Sequence, residues 1–119
     1  MTPFVLFDTD GVVIDYYGVL RPGIFQLMSG FWAMGYEVRM WSGAGAQHAM
    51  EVADEWHLPC ESFTTKPDYP MTREAVVAVL DGVPAIQFDD DATEYVGDWP
   101  FLLIACDGQM PGRTAKDAA

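Results

Sequence analysis

The sequence predicts an α/β protein, in detail a three-layer α/β/α sandwich on a doubly wound, mainly parallel sheet of five strands. Five short apolar or β-branched runs have the length of strands, and segments with helical periodicity separate them. Alternating strands and helices form right-handed crossovers, which produce a parallel sheet covered on both faces. The predicted strands are residues 4–7, 36–41, 61–64, 84–88 and 101–105.

The individual elements carry local signals of their own. The first strand, FVLF, is apolar without alternation, which is typical of a strand buried on both faces. The first helix has Pro22 at a suitable first helical position and Gly35 as a suitable C-terminal cap. The later helices place apolar residues at three- and four-residue spacing, as core-facing helices do. The predicted helices are residues 22–34, 45–57 and 71–80.

The length and composition predict a single folded domain. A chain of 119 residues has room for one core, and half of its residues are apolar. We expect residues 1–106 to form the folded core. Residues 107–119 are small and polar without apolar periodicity, so we expect a loose C-terminal tail.

The charge restricts the partners. With 18 acidic and 6 basic residues, the chain has a formal charge of −12, which repels phosphate backbones and anionic lipid surfaces. We therefore expect no membrane partner and no extended nucleic acid. The first residues lack a basic segment and a long apolar run, so cytoplasmic localisation is expected.

Polar residues follow four of the predicted strands. In open parallel sheets, ligands bind beyond the carboxyl ends of the strands. These strand ends would therefore bring carboxylates, a hydroxyl and an ammonium group together. The residues concerned are Asp8, Thr9, Asp10 and Gly11, then Ser42, Gly43, Ala44 and Gly45, then Thr65 and Lys66, and finally Asp89, Asp90 and Asp91.

Each signal has a simpler explanation when it is taken alone. Asp10-Gly11 is a common hairpin dipeptide, but the strand before it does not alternate as a hairpin strand would. Ser42 fits an ordinary helix cap, and a lone lysine such as Lys66 is usually solvated. His48 and His57 lack metal-ligand spacing and are interpreted as surface or packing residues.

The acidic run at residues 89–91 favours a cation. One of these carboxylates would suit a helix N-terminus, which attracts acidic groups. Three adjacent carboxylates near Asp8 and Asp10 repel one another, and a hard cation relieves that repulsion. Mg²⁺ suits a site that also shares a phosphate oxygen. The candidate ligands of this ion are Asp8, Asp10 and the acids of the run, Asp89, Asp90 and Asp91.

The four segments together resemble, in order, the motifs of the haloacid dehalogenase-like (HAD) superfamily of phosphohydrolases. FVLFDTDGVVID resembles the first motif, with Asp8 and Asp10 in its acidic positions and Val12 in its Thr/Val position. VRMWS resembles the second motif and TTKPDYP the third. AIQFDDDA resembles the fourth, with Asp89 as the expected direct ligand, although Asp90 with Glu94 fits a wider-spaced variant.

The resemblance implies a magnesium-dependent phosphatase. Asp8 would attack phosphorus and form an aspartyl phosphate, and Asp10 would act as general acid and base. Ser42, Gly43 and Lys66 would bind the phosphate group. The expected cofactor is Mg²⁺.

Family members usually carry a cap domain, and this sequence leaves no room for one. Only residues 11–21 separate the first motif from the first helix, and residues 58–65 are too few for a second insertion. We expect an open site. Its substrate would be a phosphorylated small molecule or the phosphorylated end of a macromolecule, and a homo-oligomer partner could cover the site.

Two other functions fit parts of the pattern. A phospho-acceptor receiver domain also uses carboxylates, a hydroxyl, a lysine and magnesium, but it places its acceptor aspartate after the third strand and its lysine after the fifth. A non-catalytic or regulatory module could retain the HAD-like fold. The acids are present at every acidic position of the motifs, which favours an enzyme.

Overall fold

The computed structural model describes residues 2–68, 71–90 and 103–106. These residues form an α/β protein with a parallel sheet and three helices, as predicted. The strands are β1 (Phe4–Asp8), β2 (Glu37–Ser42), β3 (Ser62–Thr65), β4 (Ile86–Asp89) and β5 (Leu103–Ala105). The helices are α1 (Ile24–Ala33), α2 (Ala46–Glu55) and α3 (Arg73–Leu80). The expected tail, 107–119, lies outside the described residues, as do Asp91 and Glu94.

The sheet has the strand order β3-β2-β1-β4-β5, and every neighbouring pair is parallel. β1 is therefore central, between β2 and β4. Its register aligns Phe7 with Met40 on one side and with Phe88 on the other. Asp8 and Asp89, the next residues of β1 and β4, consequently emerge at the same level of the sheet edge.

Two hydrophobic clusters cover β1 from opposite faces, because successive side chains of a strand point in opposite directions. Val5 and Phe7 belong to the cluster that contains buried residues of α1 and α2. Phe4 and Leu6 belong to the cluster that contains buried residues of α3. All of β1 is buried, which confirms the inference from its continuous apolar run.

The ends of α1 show where the local prediction was right and where it was wrong. Gly35 follows the helix with φ 93°, and its N–H donates to the Trp32 carbonyl at 3.0 Å, as expected of a C-terminal cap. Pro22 is not the first helical residue. Gly23 adopts a left-handed conformation with φ 86°, which interrupts helical geometry, so the helix begins at Ile24.

The connection between β1 and α1 is a set of tight turns. The N–H groups of Val13 and Ile14 both donate to the Thr9 carbonyl, at 3.0 and 3.1 Å. Ile14 then forms an antiparallel bridge with Leu20. This connection and the one between α2 and β3 are fully described, and neither contains a separate folded unit. Within the described ranges, no helix has the length and apolar character needed to cross a bilayer.

Candidate functional site

The candidate site lies where the direction of strand addition reverses. From β1 the chain adds β2 and β3 on one side, and β4 and β5 lie on the other. The crevice beyond the carboxyl ends at such a switch point is the usual ligand position in open α/β sheets. Asp8 ends β1 and Asp89 ends β4, so this crevice is lined by carboxylates.

Three carboxylates meet there and form what we call the carboxylate cluster: Asp8, Asp89 and Asp90. One oxygen from each lies within 4.8 Å of the others. Asp89 is fully buried and Asp8 nearly so, while Asp90 is partly exposed. Oxygen ligands at this spacing suit a hard cation such as Mg²⁺. Asp10, which was expected among the metal ligands, does not contribute its carboxylate to this cluster.

Lys66 lies beside the carboxylate cluster and spans two of its members. Its Nζ atom is 2.9 Å from Asp89 Oδ2 and 3.4 Å from Asp8 Oδ2. The ammonium group also lies 5.6 Å from the centre of the buried Trp41 ring. The Lys66 N–H donates to the Ser42 carbonyl at 2.9 Å, which fixes the start of the loop after β3. The lysine is therefore a buried counter-charge and not a solvated side chain.

The environment of Asp8 strongly disfavours its charged form. Burial is the largest cause, and the negative charge of Asp89 adds to it. Lys66 opposes these effects but does not cancel them. Together they raise the pKa of Asp8 from its ordinary value of 3.8 to about 8. Without a further positive charge, Asp8 is thus largely protonated at neutral pH.

Asp10 occupies a different, more open position. Its Oδ1 atom lies 3.1 Å from Nε2 of His48, and the two side chains are 44% and 36% exposed. The backbone of Asp10 forms a bridge with Ile14, so its position depends on the turns after β1. His48 lies in the first turn of α2, which faces the same sheet edge.

The end of β2 supplies the expected hydroxyl. Ser42 is buried, and its Oγ atom accepts a hydrogen bond from the Ala44 N–H at 3.0 Å. Gly43, between them, is exposed. The N–H of Ala46 donates to Thr65 Oγ1 at 3.0 Å, which ties the start of α2 to the end of β3. The loop after β2 is therefore fixed from both sides.

Gly11 lies directly against the carboxylate cluster. It has φ +87°, and an added Cβ would overlap the Asp90 carboxylate and lie 2.7 Å from the Tyr16 hydroxyl. The positive φ favours glycine at this position, and a Cβ would require the Asp90 carboxylate and the Tyr16 hydroxyl to move. Its N–H donates to the Ile14 carbonyl at 2.7 Å, so the Asp10-Gly11 pair does belong to a turn, one that closes on the site.

Tyr16 is a site residue that the sequence reasoning missed. Its hydroxyl donates a hydrogen bond to Asp90, and this bond raises the pKa of Tyr16 to about 12. The loop around it is held by the buried Asp15, whose Oδ1 accepts hydrogen bonds from the N–H groups of Tyr17 and Val19, at 2.8 and 3.0 Å. Nothing in the local pattern singled out this tyrosine, because its partner lies on another strand end.

The structure brings most of the expected residues to one edge of the sheet. Asp8, Lys66, Asp89 and Asp90 are in direct contact or share the cluster, while Ser42 ends the adjacent strand and Gly43 follows it. His48 was interpreted as a surface or packing residue. Its side chain is indeed 36% exposed, but the sequence did not predict its contact with Asp10. Its position in the first turn after a polar strand end was the available signal.

Comparisons with known proteins assign no activity to this site. No family model matches the chain. The chain is similar to "uncharacterized protein 037R" of Frog virus 3 (isolate Goorha), with 27% identity over 90 residues. The match covers 73% of this chain and 43% of the viral protein, so it spans less than half of that relative. A function for the chain must therefore be argued from the site itself.

Proposed function

We propose that this protein is a magnesium-dependent phosphomonoester hydrolase of the HAD-like superfamily, with Asp8 as the nucleophile. One observation carries the proposal: a buried aspartate at the switch point contacts a buried lysine and shares a cluster with two further carboxylates. A structural role alone gives no reason to bury this many like charges together, because burial disfavours each of them.

The topology supports the HAD-like fold over the receiver alternative. Doubly wound folds of the receiver type have the strand order 2-1-3-4-5. Here the order is 3-2-1-4-5, and the two hydrophobic clusters lie on opposite faces of β1. This arrangement is consistent with a three-layer sandwich whose first strand is central, and the four sequence motifs then converge on one edge.

The residues of the carboxylate cluster fit a magnesium ion. Asp8, Asp89 and Asp90 offer hard oxygen ligands, and burial together with the negative charge of Asp89 raises the pKa of Asp8, which a bound cation would counteract. When bound, the ion would neutralise negative charge on the phosphate and on the acids around it. Lys66 supplies one positive charge of its own next to Asp8 and Asp89.

The chain's own residues would divide the reaction into two steps. In the first, a carboxylate oxygen of Asp8 attacks phosphorus, the bond to the ester oxygen breaks, and Asp10 gives that oxygen a proton. In the second, Asp10 takes a proton from water, which attacks phosphorus and releases phosphate and free Asp8. Ser42, Gly43 and Lys66 would hold the phosphate group during both displacements.

The substrate class follows from the shape and charge around the site. The described connections contain no lid domain, so a phosphate group on a macromolecule could enter the site. For a small phosphorylated molecule, a second copy of the chain could cover the site. The charge of −12 disfavours long nucleic acids. We propose a phosphorylated small molecule or the phosphorylated end of a macromolecule as substrate.

The decisive experiment measures hydrolysis of p-nitrophenyl phosphate with and without magnesium, in wild type and in Asp8→Asn. The amide is nearly isosteric with the carboxylate but cannot act as the anionic nucleophile, so turnover should fall to background. A phosphorylated peptide containing Asp8 should be trapped from the wild type after acid quench, and it should be missing from the variant.

The matched control is Asp54→Asn, which changes an exposed aspartate on α2 and should leave the rate unchanged. Thermal unfolding of each variant checks that the fold is retained. Wild-type turnover that ignores magnesium, or an Asp8→Asn variant that hydrolyses at the wild-type rate, would contradict the proposal.

A further inference from the structure

We propose that His48 is a positioning residue that orients the Asp10 carboxylate for proton transfer to the leaving group. This inference rests on the proposed function, because it assigns a partner to the residue that acts there as general acid and base. The contact that carries it joins His48 Nε2 and Asp10 Oδ1 across 3.1 Å.

His48 is held in place by a fixed helix start. Its helix, α2, begins at Ala46, whose N–H donates to Thr65 Oγ1 at 3.0 Å. The next residue after His48 is Ala49, which is fully buried in the core cluster under α2. The imidazole therefore projects from a part of the helix that is anchored both to β3 and to the core.

Asp10 needs such a partner because the turns around it fix its backbone but not its side chain. Its backbone bridges to Ile14, whereas its carboxylate is 44% exposed and would be free to rotate in water if His48 did not contact it. A general acid must lie within hydrogen-bond reach of the oxygen that it protonates, and locked rotamers maintain such geometry. A hydrogen bond from His48 on Oδ1 selects one rotamer and leaves Oδ2 to face the substrate.

A purely structural explanation of the pair predicts a different outcome. Partly exposed pairs of this kind contribute little to stability, so removing the imidazole should hardly change the melting temperature. If the pair serves catalysis, removing the imidazole slows the step that Asp10 assists, which is proton transfer to the leaving group. The melting temperature should change little in either case. The rates therefore distinguish the two explanations, because only a catalytic pair gives a selective loss on a substrate whose leaving group needs a proton.

The test compares two substrates that differ mainly in their leaving group: phenyl phosphate, whose oxygen needs a proton, and p-nitrophenyl phosphate, whose oxygen leaves readily without one. The value of kcat/KM reports the steps up to departure of that group. In the full chain with magnesium, His48→Ala should lower kcat/KM for phenyl phosphate by roughly tenfold, and that for p-nitrophenyl phosphate by less than about twofold.

A conservative substitution tests whether the hydrogen bond of His48 or only the volume of its side chain is needed. In His48→Gln, the amide nitrogen lies near the Nε2 position and still donates a hydrogen bond, so this variant should recover most of the phenyl phosphate activity. Gln47→Ala changes an exposed residue in the same helical turn and serves as the matched control. The melting temperatures of all these variants should agree with that of the wild type.

Double variants distinguish failure of this inference from failure of the proposed function. If Asp10→Asn selectively slows phenyl phosphate, adding His48→Ala to it should cause no further selective loss, since the two residues act as a unit. Equal losses on both substrates in His48→Ala, or no loss, would overturn the role of His48 while leaving that of Asp10 intact. A wild type without magnesium-dependent turnover would overturn both.

Discussion

The ammonium group of Lys66 donates a hydrogen bond to the Asp89 carboxylate across 2.9 Å, and the two side chains are 5% and 0% exposed. A charge pair with so little water around it depends on both members. Removing Lys66 takes this counter-charge away from the buried Asp89, whereas removing Asp89 leaves Lys66 beside Asp8. Lys66 is therefore important for stability as well as for any phosphate that binds.

The first prediction follows from this pair. In metal-free buffer, Lys66→Met should lower the free energy of unfolding by about 3–5 kcal/mol, the usual effect of breaking a buried ion pair. The double variant Lys66→Met/Asp89→Asn should be more stable than the sum of the single losses predicts. Chemical denaturation of the four proteins measures both quantities, and strictly additive losses would contradict a coupled pair.

The second prediction concerns the pH dependence of stability. Because the folded pKa of Asp8 is about 8, well above its ordinary value of 3.8, the folded protein binds a proton that the unfolded chain releases between these values. This contribution to stability is complete below pH 3.8 and is lost as the pH rises through 8. Asp8→Asn should therefore become increasingly more stable than wild type as the pH is raised from 5 to 8, as measured by urea denaturation with EDTA.

The matched control for this pH series is again Asp54→Asn, whose side chain is exposed. Its stability relative to wild type should stay constant over the same pH range. A constant difference for Asp8→Asn as well would mean that the Asp8 carboxylate is not destabilised by its surroundings.

The third prediction concerns the metal. Magnesium at about 100 times its Kd should stabilise the folded wild type by about 2.7 kcal/mol, because a ligand that binds only the folded state shifts the unfolding equilibrium. Asp89→Asn should weaken this response, and the exposed control Glu51→Gln should retain it. Equal thermal shifts in wild type and Asp89→Asn would show that Asp89 is not a ligand. A shift that is lost only in Asp90→Asn would identify Asp90 as the direct ligand.

The side chains at the strand ends could be predicted because the signal for each of them lies within a few residues of sequence. An apolar run followed directly by Asp8, or by Asp89, places a carboxylate at a strand end whatever the sheet order is. The order itself requires knowing which strands pair, and no local pattern in this sequence specifies that. The sequence also left Asp89 and Asp90 undecided, whereas the structure places both in the carboxylate cluster and pairs only the buried Asp89 with Lys66.

The sequence did not predict the site contacts of two residues, and the reason is physical. His48 and Tyr16 acquire their partners through contacts between separate loops, with Asp10 and Asp90 respectively. A lone histidine or tyrosine gives no periodic signal, since its contact depends on loop conformation. Pro22 is the opposite case, a local signal that did not hold. The proline suits a helix start, but the left-handed conformation of Gly23 delays the helix to Ile24.

The parallel pairing of β1 with β4 also determines when in folding the site forms. β1 and β4 are far apart along the chain, and contacts between such distant segments form slowly because a long loop must close first. If the acids come together only after the folding barrier has been crossed, a cation that relieves their repulsion would act on the native state more than on the transition state. Such a cation would slow unfolding more than it accelerates folding.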